Sequence, residues 1–307
     1  MKEINGNIRA TRRTALGIAA IPVFLGLAAL QGLVARPIFK NNTAIPNLLY
    51  RMTRRLMGIK VVFNEASAPL VKDKPTWFVT NHTYGADYIP LGGLLNGPFI
   101  GKSDMMKIPV VGQVALALNF IGIHRSKEFN ALSRAKIIKN FNAGHNAIMF
   151  PEGTVGDGKK IFMFHAGLIT LLFGEKGVDK KDKEVFLEKE VVVQPVAMRL
   201  MKVDGKDATA SDELKNAYRM NNQKNPLKVL WNKLKFKNVV FEMTAFEPLN
   251  PANFKDAKDL INQAAVDVAS VVNPGQTTFE KAKIPGQKAN IANKQVLSQQ
   301  GAKLRQI

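Results

Sequence analysis

Cysteine is absent from this 307-residue chain, which excludes disulfides, thiolate nucleophiles and cysteine-bound zinc. The chain also lacks a Gly-X-Y period and a sustained heptad repeat, so collagen and a long coiled coil are excluded. Acidic residues are few, since 24 Asp and Glu stand against 44 Lys and Arg, and the formal net charge is +20. Hydrophobic residues make up 46% of the chain, which is typical of a globular protein. The positive charge predicts an anionic partner: nucleic acid, a membrane surface or a substrate.

The positive charge is concentrated at the two ends of the chain. Residues 1–60 contain ten Lys and Arg against Glu3 alone, and residues 276–307 contain six against Glu280 alone. The middle of the chain is therefore only mildly basic. This distribution predicts a basic, apolar, membrane-associating helical segment at 1–57, a globular domain at 58–273 and a basic tail at 274–307, which we expect to be disordered.

Residues 14–35 contain no charged side chain. As a helix they would extend about 33 Å, close to the thickness of a bilayer's hydrocarbon core. A signal peptide, a spanning helix and a helix lying in one leaflet all fit such a run, and basic residues on both sides favour the last.

The segment that follows has an apolar stripe at helical spacing, backed by arginines. The stripe consists of Ile45, Leu48, Leu49, Met52 and Leu56, and the arginines are Arg51, Arg54 and Arg55. We interpret it as an interfacial helix on an anionic membrane. The alternative is a surface helix packed on the domain.

The middle of the chain alternates short apolar runs with helical patterns. Strands are predicted at 59–63, 76–81, 99–102, 120–124, 147–150, 191–198 and 239–246. Helices are predicted at 89–95, 109–119, 126–142, 165–173 and 254–272. Continuous apolar strands indicate a sheet covered on both faces. We therefore expect one α/β domain with a largely parallel central sheet flanked by helices, interrupted by a polar, basic insertion at 202–236.

Chemistry in open α/β sheets collects at the carboxyl ends of strands. The strand at 76–81 is followed by His82 and, five residues later, by Asp87. On a regular helix these side chains would diverge, but they can meet if His82 lies in a turn that Gly85 makes flexible and Asp87 begins the helix. Histidine then serves as a base and the carboxylate orients it. The alternative is that Asp87 is only a helix cap.

Two further strand ends carry polar residues. The strand at 147–150 is followed by Pro151, Glu152, Gly153 and Thr154, which are ordinary turn formers. The next residues approach a phosphate loop up to Lys159, but Lys160 replaces the Ser or Thr that would bind magnesium, so we reject that motif. Arg125 follows the strand at 120–124 and could clamp an anion. The histidines and acidic residues show no coherent metal-ligand spacing, and no metal is predicted.

The order of these segments is more specific than any one of them. The series NHTYGAD, IGKSDMMKIPVVG, GIHRSK, FPEGT and QPVAMRL resembles the glycerolipid acyltransferase family of the lysophosphatidic acid acyltransferase type. The resemblance covers residues 58–272 and implies the α/β fold with an N-terminal pair of membrane-docking helices.

The resemblance implies acyl transfer without an enzyme nucleophile. His82 would deprotonate the acceptor hydroxyl, with Asp87 orienting it, and the hydroxyl oxygen would attack an acyl thioester. Glu152, Gly153 and Thr154 match the family's EGT block, which with Arg125 and Lys102 belongs to the acceptor-binding surface. Pro195 matches its proline block. No cofactor is implied beyond acyl-CoA or acyl-carrier protein as acyl donor.

One position departs from the family pattern. Many phosphatidic-acid-forming members have Arg or another polar residue and Ser after EGT, whereas this chain has Val155 and Gly156. Some related members acylate lyso-ornithine lipids. Because Lys159, Lys160 and Arg125 could still hold a phosphate, lysophosphatidic acid is the first expected acceptor and lyso-ornithine lipid or another lysolipid the alternative.

Two readings of other classes stay open. A basic nucleic-acid-binding protein would explain the charge, but no helix-turn-helix, RNP or zinc pattern is present, so we expect no nucleic-acid partner. A lipid-binding scaffold without catalysis would not need His82, Asp87 and Glu152. We expect an enzyme on the cytoplasmic face of the inner or plasma membrane, bound to its anionic surface and using a lysolipid acceptor.

Overall fold

A computed structural model of the chain describes residues 2–35, 38, 43–107, 111–123, 127–156, 158, 160–219, 226–282 and 295–296. The α-helices are α1 (Lys2–Ala19), α2 (Ile21–Leu30), α3 (Ala44–Met57), α4 (Tyr88–Leu91), α5 (Val111–Ala117), α6 (Lys127–Asn142), α7 (Asp212–Tyr218), α8 (Pro226–Leu234) and α9 (Ala257–Val272). A π-helical turn spans Gln31–Ala35, and 3₁₀ turns span Ser103–Lys107, Ile169–Phe173 and Pro251–Asn253.

The strands are β1 (Ile59–Phe63), β2 (Thr76–Thr80), β3 (Phe99–Lys102), β4 (Ile121–Ile123), β5 (Ala147–Met149), β6 (Gly177–Val178), β7 (Glu184–Val185), β8 (Val192–Val203), β9 (Lys206–Asp207), β10 (Val239–Ala245), β11 (Thr278–Phe279) and β12 (Gln295–Val296). The main sheet has the order β1-β10-β8-β2-β5-β3-β4, with β9 added to β8. Neighbours from β8 to β4 are parallel, while β10 runs antiparallel to β8 and parallel to β1. The predicted largely parallel α/β sheet is therefore confirmed.

The central strand β2 is buried along its whole length. Its side chains alternate between the two faces of the sheet, as strand geometry requires. Trp77 and Val79 enter a core shared with α6 and α9, whereas Phe78 enters a second core shared with α3, α4 and α8. Helices therefore cover both faces of the sheet. The carboxyl end of β2 lies at one edge of the sheet, and the candidate catalytic turn begins there.

Three predicted elements differ from the structure. The predicted helix at 89–95 contains only the single turn α4 (Tyr88–Leu91). The predicted helix at 165–173 contains only the 3₁₀ turn Ile169–Phe173. The strand predicted at 191–198 continues to Val203 and pairs with β9, so the polar insertion contributes to the sheet before it forms α7 and α8.

The predicted tail begins at 274, but its first residues belong to the domain. Phe279 is fully buried in the core, and Glu280 pairs with Lys160 at 2.7 Å. The side chain of Gln276 accepts a hydrogen bond from the Ile161 amide and donates one to the Ile161 carbonyl, at 2.9 and 2.7 Å. The predicted boundary at 273 is therefore wrong for residues 276–280. Of the remaining tail, residues 283–294 and 297–307 lie outside the described residues.

The helix α3 is packed on the domain, which is the alternative that the sequence left open. Leu49 is buried and Tyr50 is buried in the second core, whereas Leu48 of the same predicted stripe is 41% exposed. Arg54 does not face outward, because its guanidinium donates to the carbonyls of Pro90 and Gly92. The predicted apolar stripe is thus divided between the core and the surface.

The helix α1 docks on the C-terminal end of α8. Arg9 donates to the carbonyl of Lys235, and Arg13 donates to those of Leu234, Phe236 and Lys237. The last carbonyls of a helix lack helical partners and carry partial negative charge, so cations are favoured there. Part of the N-terminal positive charge therefore binds carbonyl groups of the protein itself and not an external partner.

Among the described helices, none alone is long and apolar enough to cross a bilayer. The segments Ile4–Ala19 and Ile21–Ala35 meet those two criteria together, with a bend of 42° between them.

Replacing Arg13 by Gln tests the docking of α1. The variant loses the charged donor to three carbonyls, and we expect the docked state to lose about 1–2 kcal/mol. Limited proteolysis in detergent should cut residues 1–57 faster than in the wild type. Arg12→Gln, which changes an exposed arginine of the same helix, is the control. Equal cleavage rates in the two variants would contradict the docking.

Candidate active site

The turn after β2 is fixed by the buried side chain of Asn81. Its Oδ1 accepts a hydrogen bond from the Met198 amide at 2.8 Å, and its Nδ2 donates to the Met198 carbonyl at 2.9 Å. Nδ2 also lies 3.1 Å from Oγ1 of Thr83. Asn81 therefore ties the end of β2 to β8 and sets the point at which the chain leaves the sheet.

His82 and Asp87 meet within this turn. His82 Nδ1 lies 2.6 Å from Asp87 Oδ2, and the carboxylate is fully buried. Oδ2 also accepts hydrogen bonds from the amides of Thr83 and Tyr84, at 2.8 and 2.9 Å. Gly85 has φ +72°, a left-handed conformation that lets the chain fold back toward His82.

Asp87 stands at the N-cap position of α4 without capping it. Its side chain makes no cap hydrogen bond and turns back toward the preceding residues. The alternative of a simple helix cap is therefore wrong.

The contact with Asp87 decides which nitrogen of His82 can act as a base. An ionised carboxylate only accepts hydrogen bonds, so Nδ1 must be the donor and, in the neutral ring, Nε2 carries the lone pair. The ring stacks on Phe150 at 4.2 Å between centroids, and its side chain is 18% exposed. The imidazole is thus held on one side and accessible from another, as a general base requires.

Glu152 holds the backbone of the same turn. Its side chain is almost fully buried, with Oε1 accepting from the His82 amide at 2.7 Å and Oε2 from the Phe162 amide at 2.9 Å. The Gly156 amide donates to the His82 carbonyl at 2.5 Å. The segment after β5 therefore binds both backbone polar groups of His82. This position differs from the acceptor-binding surface on which the resemblance placed Glu152.

The other predicted residues are distributed around the same sheet edge. Gly153 and Thr154 form the turn after β5, where the Gly153 amide donates to the Phe150 carbonyl at 3.1 Å. Lys102 ends β3 with its side chain exposed, and Pro195 lies on β8 opposite Val79 of β2. Arg125 and Lys159 lie outside the described residues.

Sequence reasoning gave no role to Asn81, Phe150, Gly156 or Phe162. Asn81 directly precedes His82, and Phe150 directly precedes the turn that contains Glu152. Their position beside candidate site residues was a sequence signal that could have identified them. Gly156 and Phe162 contribute through backbone amides. Since any residue other than proline offers an amide, no residue type marks such positions in a sequence.

Comparison with protein-family models matches residues 59–199 to the Acyltransferase family. That span includes His82, Asp87 and Glu152, and the geometry above unites them at one sheet edge. The chain therefore contains an acyltransferase domain, and its match to relatives supports the glycerolipid acyltransferase family. It is an enzyme that transfers acyl groups, and this family requires no cofactor beyond the acyl donor.

Two curated relatives are similar to most of the domain. The lyso-ornithine lipid O-acyltransferase of Brucella abortus is 29% identical over 199 residues, which are 61% of this chain and 71% of the relative. The enzyme of the same name from Pseudomonas aeruginosa is 26% identical over 203 residues, 66% of this chain and 73% of the relative.

A solved structure shares the fold. The crystal structure of the 1-acyl-sn-glycerophosphate (LPA) acyltransferase PlsC from Thermotoga maritima aligns with a TM-score of 0.61 and 18% identity. The alignment covers 89% of this chain and 96% of that protein. At this identity the likeness concerns the fold alone.

Replacing Asp87 by Asn tests how the imidazole is oriented. The amide NH₂ would donate to Nδ1 and place the ring proton on Nε2, so that no lone pair faces the acceptor. We expect kcat for acyl transfer to fall by about 10²- to 10⁴-fold. Asp182→Asn, at an exposed turn, is the matched control. Wild-type turnover by a folded Asp87→Asn protein would rule out this role of Asp87.

Proposed function

We propose that this protein transfers an acyl group from acyl-CoA or acyl-carrier protein to the free hydroxyl of a lysolipid. The observation that carries the proposal is the contact of 2.6 Å between His82 Nδ1 and the buried Asp87, which leaves Nε2 as the basic atom. In a family that transfers acyl groups, such a base activates a hydroxyl.

The proposed reaction is a direct displacement on a thioester. Nε2 of His82 removes the proton of the acceptor hydroxyl while the oxygen attacks the thioester carbonyl carbon. A carbon–oxygen bond forms, the carbon–sulfur bond breaks, and the imidazolium returns its proton to the thiolate leaving group. Asp87 stabilises the imidazolium through Nδ1 and stays ionised throughout. No covalent enzyme intermediate is needed.

The acceptor is proposed to be a lyso-ornithine lipid. The two curated relatives described above carry that name, and Val155 and Gly156 stand where many phosphatidic-acid-forming members have polar residues. This choice reverses the order expected from the sequence. Lysophosphatidic acid is the second candidate, because the ordered sequence boxes resemble the acyltransferases that use it.

The substrate-binding residues remain part of the proposal. We assign the acceptor surface to the sheet edge around His82, where Lys102 ends β3 and Gly153 and Thr154 follow β5. Arg125 and Lys159 are included because they follow β4 and the EGT turn in the sequence.

Membrane association is proposed through α1, α2 and the turn after them. This segment exposes large apolar side chains, among them Leu16 at 62%, Leu25 at 57% and Leu33 at 74%. Burying such surface in lipid is favourable, and the basic N-terminal flank adds attraction to anionic headgroups. We place the enzyme on the cytoplasmic face, because acyl-CoA and acyl-carrier protein are supplied there.

A panel of acceptors with one acyl donor tests the function. Lyso-ornithine lipid, lysophosphatidic acid and a neutral monoacylglycerol of equal chain length are presented in mixed micelles, with His82→Ala as the inactive control. We expect the highest kcat/KM with lyso-ornithine lipid and a loss of at least about 10²-fold in His82→Ala, because its base is missing.

Preference for lysophosphatidic acid would establish the second candidate. Failure of every lysolipid, or full activity of a folded His82→Ala protein, would refute the proposed reaction.

A further inference from the structure

The side chain of Gln276, in the segment after α9, uses its full hydrogen-bonding capacity. Its Oε1 accepts from the Ile161 amide and from Nδ2 of Asn273, at 2.9 and 3.2 Å. Its Nε2 donates to the carbonyls of Ile161 and Thr278, at 2.7 and 2.9 Å. A glutamine amide offers two acceptor and two donor positions, and all four are occupied here. The side chain is therefore fixed in one orientation against the backbone of Ile161.

The residues at 161–163 lie between this segment and Glu152. Two positions after Ile161, the Met163 amide donates to the Glu280 carbonyl at 2.9 Å. The amide between them, that of Phe162, donates instead to Oε2 of Glu152 at 2.9 Å. The segment after α9 thus binds the chain on both sides of an amide that Glu152 uses, and it sets where that amide lies.

Both partners in this contact are anchored by apolar packing. Ile161 and Phe279 are each 1% exposed and belong to the core that α6 and α9 share. Lys160 and Glu280 add an ion pair at 2.7 Å beside them. These interactions do not use the Gln276 amide. A change at Gln276 therefore removes the hydrogen bonds that align 161–163 and leaves the packing of both segments in place.

Glu152 connects this alignment to the proposed base. Its other oxygen, Oε1, accepts from the His82 amide at 2.7 Å. Because one planar carboxylate binds both amides, a shift of the Phe162 amide would turn the carboxylate and move the backbone of His82. The imidazole would move with it, and a misplacement of about 1 Å can lower a reaction rate about 10²-fold.

We propose that Gln276 is a positioning residue of the active site, which acts on His82 through the Phe162 amide and Glu152. Gln276 lies outside residues 59–199, which match the Acyltransferase family model. The catalytic turn is thus completed by a segment beyond the matched domain. The inference rests on the proposed function, in which His82 is the base.

Replacing Gln276 by Leu tests the positioning role, because leucine is of similar size and makes none of the four hydrogen bonds. We expect kcat to fall at least about tenfold while KM for acceptor and donor stays within about twofold, since the binding groups are unchanged. Gln263→Leu is the matched control, because Gln263 is a half-buried glutamine of α9 whose Nε2 donates to Asp267 Oδ1 at 2.8 Å. Gln276→Glu, which loses the donor, is a second variant if Gln276→Leu does not fold.

A double-mutant cycle with Glu152→Gln separates positioning from a general structural effect. Glutamine at 152 has one acceptor oxygen for two amides, so it already breaks the connection between Phe162 and His82. Adding Gln276→Leu to Glu152→Gln should then change kcat by less than about twofold. An equal loss in both backgrounds is the result of a merely structural role and would overturn the proposal.

The backbone amide of His82 gives a readout that needs no substrate. In ¹⁵N-histidine-labelled protein, its resonance should move in Gln276→Leu toward its position in Glu152→Gln and stay unchanged in Gln263→Leu. Such a shift would support the positioning role even if no lysolipid were acylated, a result that refutes only the proposed function. An unmoved His82 amide in the folded variant, or wild-type kcat in Gln276→Leu, would overturn the inference.

Discussion

The site depends on two buried carboxylates that accept hydrogen bonds from the backbone of one turn. Asp87 binds the amides of Thr83 and Tyr84, and Glu152 binds the amide of His82. A buried carboxylate is costly unless hydrogen bonds replace its water. The turn supplies those donors, and the same hydrogen bonds fix its shape. The position of the imidazole therefore follows from satisfying two buried charges, and Asn81 connects the same turn to β8.

The sequence predicted the sheet well because its strands are continuous apolar runs, and β2 is buried on both faces. It also predicted that His82 and Asp87 could meet, because Gly85 allowed the turn. It could not predict how Glu152 acts, since its two partners are backbone amides. The close approach of the Arg219 guanidinium to Gly158, where an added Cβ would lie 2.1 Å from Nη2, was equally hidden, because glycine has no side chain to signal the contact.

The positive charge that dominates the composition has more than one use in the structure. Arg9 and Arg13 bind carbonyls at the end of α8 and in the residues just after it, Arg54 binds carbonyls at the end of α4, and Lys160 pairs with Glu280. These contacts join the N-terminal helices and the segment after α9 to the catalytic domain. A count of Lys and Arg in the sequence could not separate these internal contacts from charges that face an anionic surface. The residue types and their spacing along the chain are the same in both cases.

The central claim is that Asp87 fixes the tautomer of His82, and ¹⁵N NMR of histidine-labelled protein in micelles tests it most directly. The chain has only four histidines, so His82 can be assigned by comparison with His82→Ala. Neutral His82 should show a protonated Nδ1 and a bare Nε2. A protonated Nε2, or a mixture without preference, would contradict the account.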